Sequence, residues 1–194
     1  MKTYRIAAIP GDGIGNEVIP AGIEVLEALA AKEGFKLAFE NFDWSSARYL
    51  KTGAYIPEGG LEKLKTFDAI YFGAVGSPDV PDHVSLWGLR LPICQGFDQY
   101  ANVRPSRVLP GVTSPLANAK DIDWVIIREN SEGEYSGSGG RVHRGLPEEI
   151  ATETSVFTRV GVERIHRFAF ELARKRPRKL LTLVTKSNAQ RHGM

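Results

Sequence analysis

The chain has 194 residues, 42% hydrophobic and 25% charged, with a formal net charge of +2; its mean hydropathy is -0.21. That balance suits a globular chain able to bury a core. It makes no whole-chain electrostatic case for nucleic acid, and no apolar run approaches the ~20 residues that a membrane-spanning helix needs.

The single cysteine, Cys94, has no partner for an internal disulfide. With no apolar leader before the first strand, a cytoplasmic location is expected. In chain order, Tyr4 to Ile9 reads as a buried strand. Asn16 to Lys32 reads as a helix, with Val18, Gly22, Val25, Leu26 and Leu29 at helical spacing, and Gly34 stops it. Leu37 to Phe42 alternates as a strand would, and Leu61 to Lys65 suits a short helix. The run "FDAIYF", Phe67 to Phe72, reads as a strand closed by Gly73 and Gly76. Alternating strands and helices argue an α/β layered fold with a largely parallel sheet.

From Pro78 to Pro115 six prolines punctuate the chain, which reads as a crossing segment. Asp123 to Arg128 is a strand. A glycine-rich polar stretch follows, and Gly133 to Phe157 is expected to form a hairpin arm. Val162 to Lys175 is a helix with Ile165, Phe168, Ala169 and Leu172 on one face. Its basic end suits a helix C-terminus and a solvated charged face. Leu180 to Thr185 reads as a further strand.

The motif "GDGIG" raises the question of a dinucleotide loop. Gly11 and Gly13 fit the first two places of G-x-G-x-x-G, but Asn16 stands in the third. A strand-to-helix turn explains both glycines without a ligand. Arg104 and Arg128 stand at the edges of apolar segments, where α/β folds place ligand sites. A guanidinium grips a carboxylate through paired hydrogen bonds, so the two arginines point to a small acid, although each alone also reads as a surface ion-pair residue. Tyr135 can donate a proton, and Lys186, directly after "LLTLVT", can act as a base if its pKa is depressed. Each alone also reads as an ordinary surface residue. The four histidines show no metal spacing.

Together, "IPGDGIGNEV", "FDQYANVRP", "RENSEGEYSG" and "TKSN" resemble, in order, the NAD-dependent β-decarboxylating dehydrogenases, which include isopropylmalate, isocitrate, tartrate and D-malate dehydrogenases. The texts "DAIYFGAVGSPDVPDHVSLWG" and "ETSVFTRVGVERIHRFAFELA" are most similar to the tartrate and D-malate branch. The resemblance implies an isopropylmalate dehydrogenase-like two-domain layered fold distinct from the Rossmann type and incomplete in this chain. Residues 1–100 would be the N-terminal part of the larger domain. Residues 101–194 would be the first part of the smaller one, with the arm near 133–157.

The implied chemistry is oxidation, with or without decarboxylation, of a small 2-hydroxy dicarboxylic acid. Arg104 and Arg128 would hold its carboxylates. Mg²⁺ or Mn²⁺ would polarise the hydroxyl, Lys186 would take its proton as hydride passes to NAD, and Tyr135 would protonate the enol carbon. Asn188 would touch the nicotinamide end, and "GDGIG" would be a structural turn. Many members carry a further arginine ten residues before the place of Arg104; here that place holds Cys94, and Arg90 is the candidate to replace it. The family's metal-binding aspartates and adenosine loop follow the lysine segment, so no metal ligands are expected in this chain, and by itself it is expected to be inactive. Family members are homodimers in which the lysine is donated across the dimer. The alternative is a catalytically inactive remnant or dimerising subunit.

Overall fold

A computed structural model describes residues 1–119 and 122–193. The chain divides into two compact units, Met1–Gly96 and Phe97–Met194.

The first unit is built on a parallel sheet of order β2-β1-β3, from β1 (Thr3–Gly11), β2 (Lys36–Asn41) and β3 (Ala69–Ala74). The centre of β1 forms the heart of the core, with Ala7, Ala8 and Ile9 fully buried. Burying a side chain such as Ile9 contributes about 1.5–3 kcal/mol. Helix α1 (Gly15–Glu33) ends at Gly34, whose φ of 76° suits a residue without a β-carbon. Its buried residues are Gly15, Ile19 and Ala30. The expected stripe is therefore only partly right: Val18, Val25 and Leu29 are exposed. The packed face instead follows the small residues, because a β-carbon on Gly22 would lie 1.8 Å from Tyr71 Oη. Close helix–sheet approach sets the rotation of α1 more than hydropathy does.

Two short helices, α2 (Ser46–Thr52) and α3 (Gly60–Leu64), lead to β3. That strand runs through Gly73, which was expected to stop it. A β-carbon there would sit 2.3 Å from Pro10 O, so Gly73 permits close packing and does not terminate the strand. Beyond β3 the proline-punctuated stretch is not all crossing segment. It contains α4 (Asp82–Ser85), a π-helical turn (Leu86–Arg90) and α5 (Leu91–Gly96), with Leu89, Leu91, Ile93 and Cys94 buried.

The "GDGIG" turn closes on itself. Asp12 N donates to Ala74 O at 2.7 Å, Gly15 N to Asp12 O at 2.9 Å, Asn16 N to Gly13 O at 3.1 Å and Glu17 N to Ile14 O at 3.0 Å. The Asp12 side chain, 9% exposed, turns inward. Oδ1 accepts from Ser46 N at 2.7 Å, and Oδ2 accepts from Ser46 Oγ at 2.7 Å and from Gly76 N at 2.9 Å. Ser46 Oγ lies 2.7 Å from Tyr55 Oη. Since the serine proton goes to the carboxylate, the tyrosine is the donor in that last bond. One carboxylate thus ties the β1 turn to the start of α2 and to the loop leaving β3.

The second unit holds two antiparallel ribbons and a helix. β4 (Ala101–Arg107) pairs with β5 (Asp123–Glu129), and β6 (Gly133–Val142) pairs with β7 (Ile150–Val156). Pro105 lies within β4, which pairs on one side only among the described residues, the place where a strand tolerates proline. Helix α6 (Arg159–Lys175) packs against β5. Ile165 is buried and Phe168, Ala169 and Leu172 are half-buried, the face that the spacing indicates. The expected strand at Leu180 to Thr185 does not form. The segment pairs with no strand among the described residues, and Leu180, Leu183 and Val184 are exposed at 63%, 65% and 89%. An apolar, β-branched run makes a strand only where a neighbour accepts its backbone hydrogen bonds.

Candidate active site

The register of the β4–β5 ribbon places the two arginines. Arg104 lies opposite Ile126, and Asn102 lies opposite Arg128. Directly opposed residues share a face, so Arg104 and Arg128 stand on the same face as diagonal neighbours, with Cα atoms about 7–8 Å apart. Arg104 is exposed and Arg128 half-buried. Trp124 and Ile126, at 53% and 48% exposure, extend that face. It thus presents two cations beside accessible apolar surface, a combination suited to a small dicarboxylate.

Tyr135 joins this group. Arg128 Nη2 donates to Tyr135 Oη, and the guanidinium carbon lies 4.8 Å from the centre of the tyrosine ring. A guanidinium only donates, so the phenol oxygen accepts here and its own proton is not used in this contact.

The loop between the two residues is held by groups that sequence reasoning missed. The Glu129 carboxylate accepts from Ser131 N, from Ser131 Oγ at 2.6 Å and from Glu132 N at 2.8 Å. Buried Asn130 donates from its backbone to Tyr100 O and from its side chain to Gln99 O. From α6, Arg164 reaches both carboxylate oxygens of Asp98 at 2.9 and 3.0 Å and Ser131 Oγ at 2.9 Å. Its guanidinium lies 4.5 Å from the Tyr100 ring centre. The available signals were a capping threonine, Thr158, before an amphipathic helix and the run of short polar residues after Arg128; neither names its long-range partner.

The other candidates lie on other segments of the chain. Lys186 and Asn188 lie on the exposed segment after α6, in a turn closed by Ala189 N and Gln190 N donating to Lys186 O at 2.9 Å each. Neither side chain bonds to the arginines. Arg90, half-buried, ends the π-helical turn of the first unit, and Cys94 is buried one helical turn further on. Among the described residues no three His, Cys, Asp or Glu side chains stand together as a metal-ion cage would need. No described helix is long and apolar enough to cross a membrane.

The profile of the family described as isocitrate/isopropylmalate dehydrogenase matches residues 5–193. The chain is 70% identical, over its whole length, to a probable tartrate dehydrogenase/decarboxylase of Agrobacterium vitis, of which it covers 55%. It is 58% identical to the decarboxylating D-malate dehydrogenase of Escherichia coli, covering 97% of this chain and 53% of that protein. Among solved structures, isocitrate dehydrogenase from Methylococcus capsulatus matches with a TM-score of 0.81 and 31% identity, over 97% of this chain and 53% of that one. The chain therefore spans about half the length of the relatives it matches.

Proposed function

The chain belongs to the isocitrate/isopropylmalate dehydrogenase family, and from that premise we propose that it forms the carboxylate-binding part of a dehydrogenase for a small 2-hydroxy dicarboxylic acid of the tartrate or D-malate type. The observation that carries this reading is the shared face of Arg104 and Arg128 with Tyr135 bonded to Arg128. A dicarboxylate meets two guanidiniums there, each able to form paired charge-assisted hydrogen bonds.

The side chains take the following roles. Arg104 and Arg128 orient the acid by its carboxylates, and Arg90 is a third carboxylate-binding candidate. Lys186 takes the proton from the substrate hydroxyl. Its exposed position suits a lysine that serves the partner subunit of a homodimer. Tyr135, whose oxygen already faces a cation, delivers a proton to the enol carbon after decarboxylation. Asn188 contacts the nicotinamide end of NAD, which when bound supplies the hydride acceptor. Mg²⁺ or Mn²⁺ is the metal proposed for the whole enzyme. The described residues form no cage for it. The cytoplasm is the proposed location.

The test is a chimera in which these 194 residues replace the matching part of the Agrobacterium vitis relative. NADH formation is followed with Mn²⁺ and either tartrate or D-malate. Turnover that disappears in Arg104→Ala and Arg128→Ala supports the reading. A folded chimera inert toward both acids, beside an active parent, refutes it.

A further inference from the structure

We propose that Glu132 is the positioning residue of the Arg128–Tyr135 pair, holding it in place from the N-terminus of α6; this deepens the function proposed above and takes from it the meaning of the pair. Glu132 is fastened at three points. Its carboxylate accepts from Thr158 N at 2.9 Å and from the Thr158 hydroxyl. Its backbone N donates to the Glu129 carboxylate at 2.8 Å, one residue beyond Arg128. Its carbonyl accepts from Tyr135 N at 3.2 Å.

Thr158 is at the same time the cap of α6, accepting from Gly161 N at 3.0 Å, and a carboxylate at a helix N-terminus is favoured by the helix dipole. The space for this clasp is built in. A β-carbon on Gly161 would fall 2.3 Å from the Glu132 carboxyl carbon, so any other residue there would displace the acid from this position at the cap. The hairpin begins at Gly133 and ends at Val156, so the same clasp also closes its root. Its bonds to Glu129 and Tyr135 are made by its backbone, so it acts on the pair through the backbone that carries it.

The experiment uses the chain itself. The carbon–proton cross-peak of the Tyr135 ring, assigned with Tyr135→Phe, is recorded in the parent, Glu132→Ala, Glu132→Gln, Thr158→Ala and Arg128→Ala. Arg128→Ala defines the shift for a ring that has lost its cation. Thr158→Ala weakens the cap of α6 but leaves Glu132 at the Thr158 N–H. Expected is a shift in Glu132→Ala of more than half the Arg128→Ala displacement. Glu132→Gln, which keeps one acceptor oxygen, should fall between that variant and the parent, and so should Thr158→Ala, which removes one of the two bonds to the carboxylate. An unmoved ring in Glu132→Ala, or an equal displacement in Thr158→Ala, overturns the proposal. Should Glu132→Ala not fold, Glu132→Gln decides: a ring left at the parent position overturns the proposal. Titrating tartrate and D-malate into the parent separates the two ideas. A Tyr135 ring indifferent to both acids counts against the proposed function, while the variant series still decides the role of Glu132.

Discussion

Removing the Asp12 carboxylate tests whether the buried acid organises the first unit. In Asp12→Ala three donors lose their acceptor at once: Ser46 N, Ser46 Oγ and Gly76 N. Hydrogen bonds to a charged group contribute about 1.5–3 kcal/mol each, and neighbouring bonds are not additive. The serine hydroxyl can turn, and water can enter the space left by the carboxylate, so the expected loss is ~3–5 kcal/mol, a large part of the ~5–15 kcal/mol that holds a domain folded. With a urea dependence of about 2 kcal/mol per M, the midpoint should fall by roughly 2 M. Trp44, 2% exposed in the same unit, is the fluorescence probe, isolated by Trp87→Phe and Trp124→Phe in parent and variant alike. Asp12→Asn keeps one acceptor oxygen but turns an amide toward the remaining donors, so it should lie between parent and alanine. An alanine variant within ~1 kcal/mol of the parent, the range of an ordinary substitution, would refute the reasoning.

Gly22→Ala should cost about 1–3 kcal/mol by overpacking, because its β-carbon would meet Tyr71 Oη at 1.8 Å. Adding Tyr71→Phe should recover part of that loss in the same urea titration. In the chimera, Lys186→Ala should lower kcat far more than it weakens substrate binding, measured by initial rates beside a binding titration; unchanged kcat with weakened binding would contradict the proton-accepting role. Arg128→Lys keeps the charge but loses the planar fork, so kcat/KM should fall by a factor corresponding to about 1.5–3 kcal/mol.

The parts of this molecule that were legible in the sequence are those set by short-range patterns. Strand β5 and the inner face of α6 follow from apolar spacing, and the turn at Gly34 from the need for positive φ. Arg104, Arg128 and Tyr135 could be named from the resemblance, but that both arginines share one face follows from the register Arg104↔Ile126, a long-range fact. Strand β4 was hidden because Pro105 argues against a strand until its single-sided pairing is seen. The rotation of α1 is not legible because Gly22 acts by leaving room for the Tyr71 hydroxyl and Gly73 by letting backbones approach, which hydropathy does not record. The run at Leu180 to Thr185 has strand chemistry without a strand beside it. Arg164 and Glu132 gave no local signal, since their partners lie 66 and 26 residues away.

The "GDGIG" turn uses most of its amides in its own folding. A loop that cradles a pyrophosphate does so with amides left over from its own folding. Here the amides of Asp12, Gly15, Asn16 and Glu17 all point back at carbonyls of the chain. The Asp12 carboxylate is turned into the core, toward Ser46 and Gly76 N. Asn16→Gly would complete the glycine spacing of a dinucleotide fingerprint without adding one donor toward a nucleotide. Two of its glycines serve contact between strand, strand and helix: a β-carbon on Gly11 would lie 1.9 Å from Ala74 O and one on Gly15 1.9 Å from Pro10 O, while Gly13 serves the turn by its positive φ of 49°.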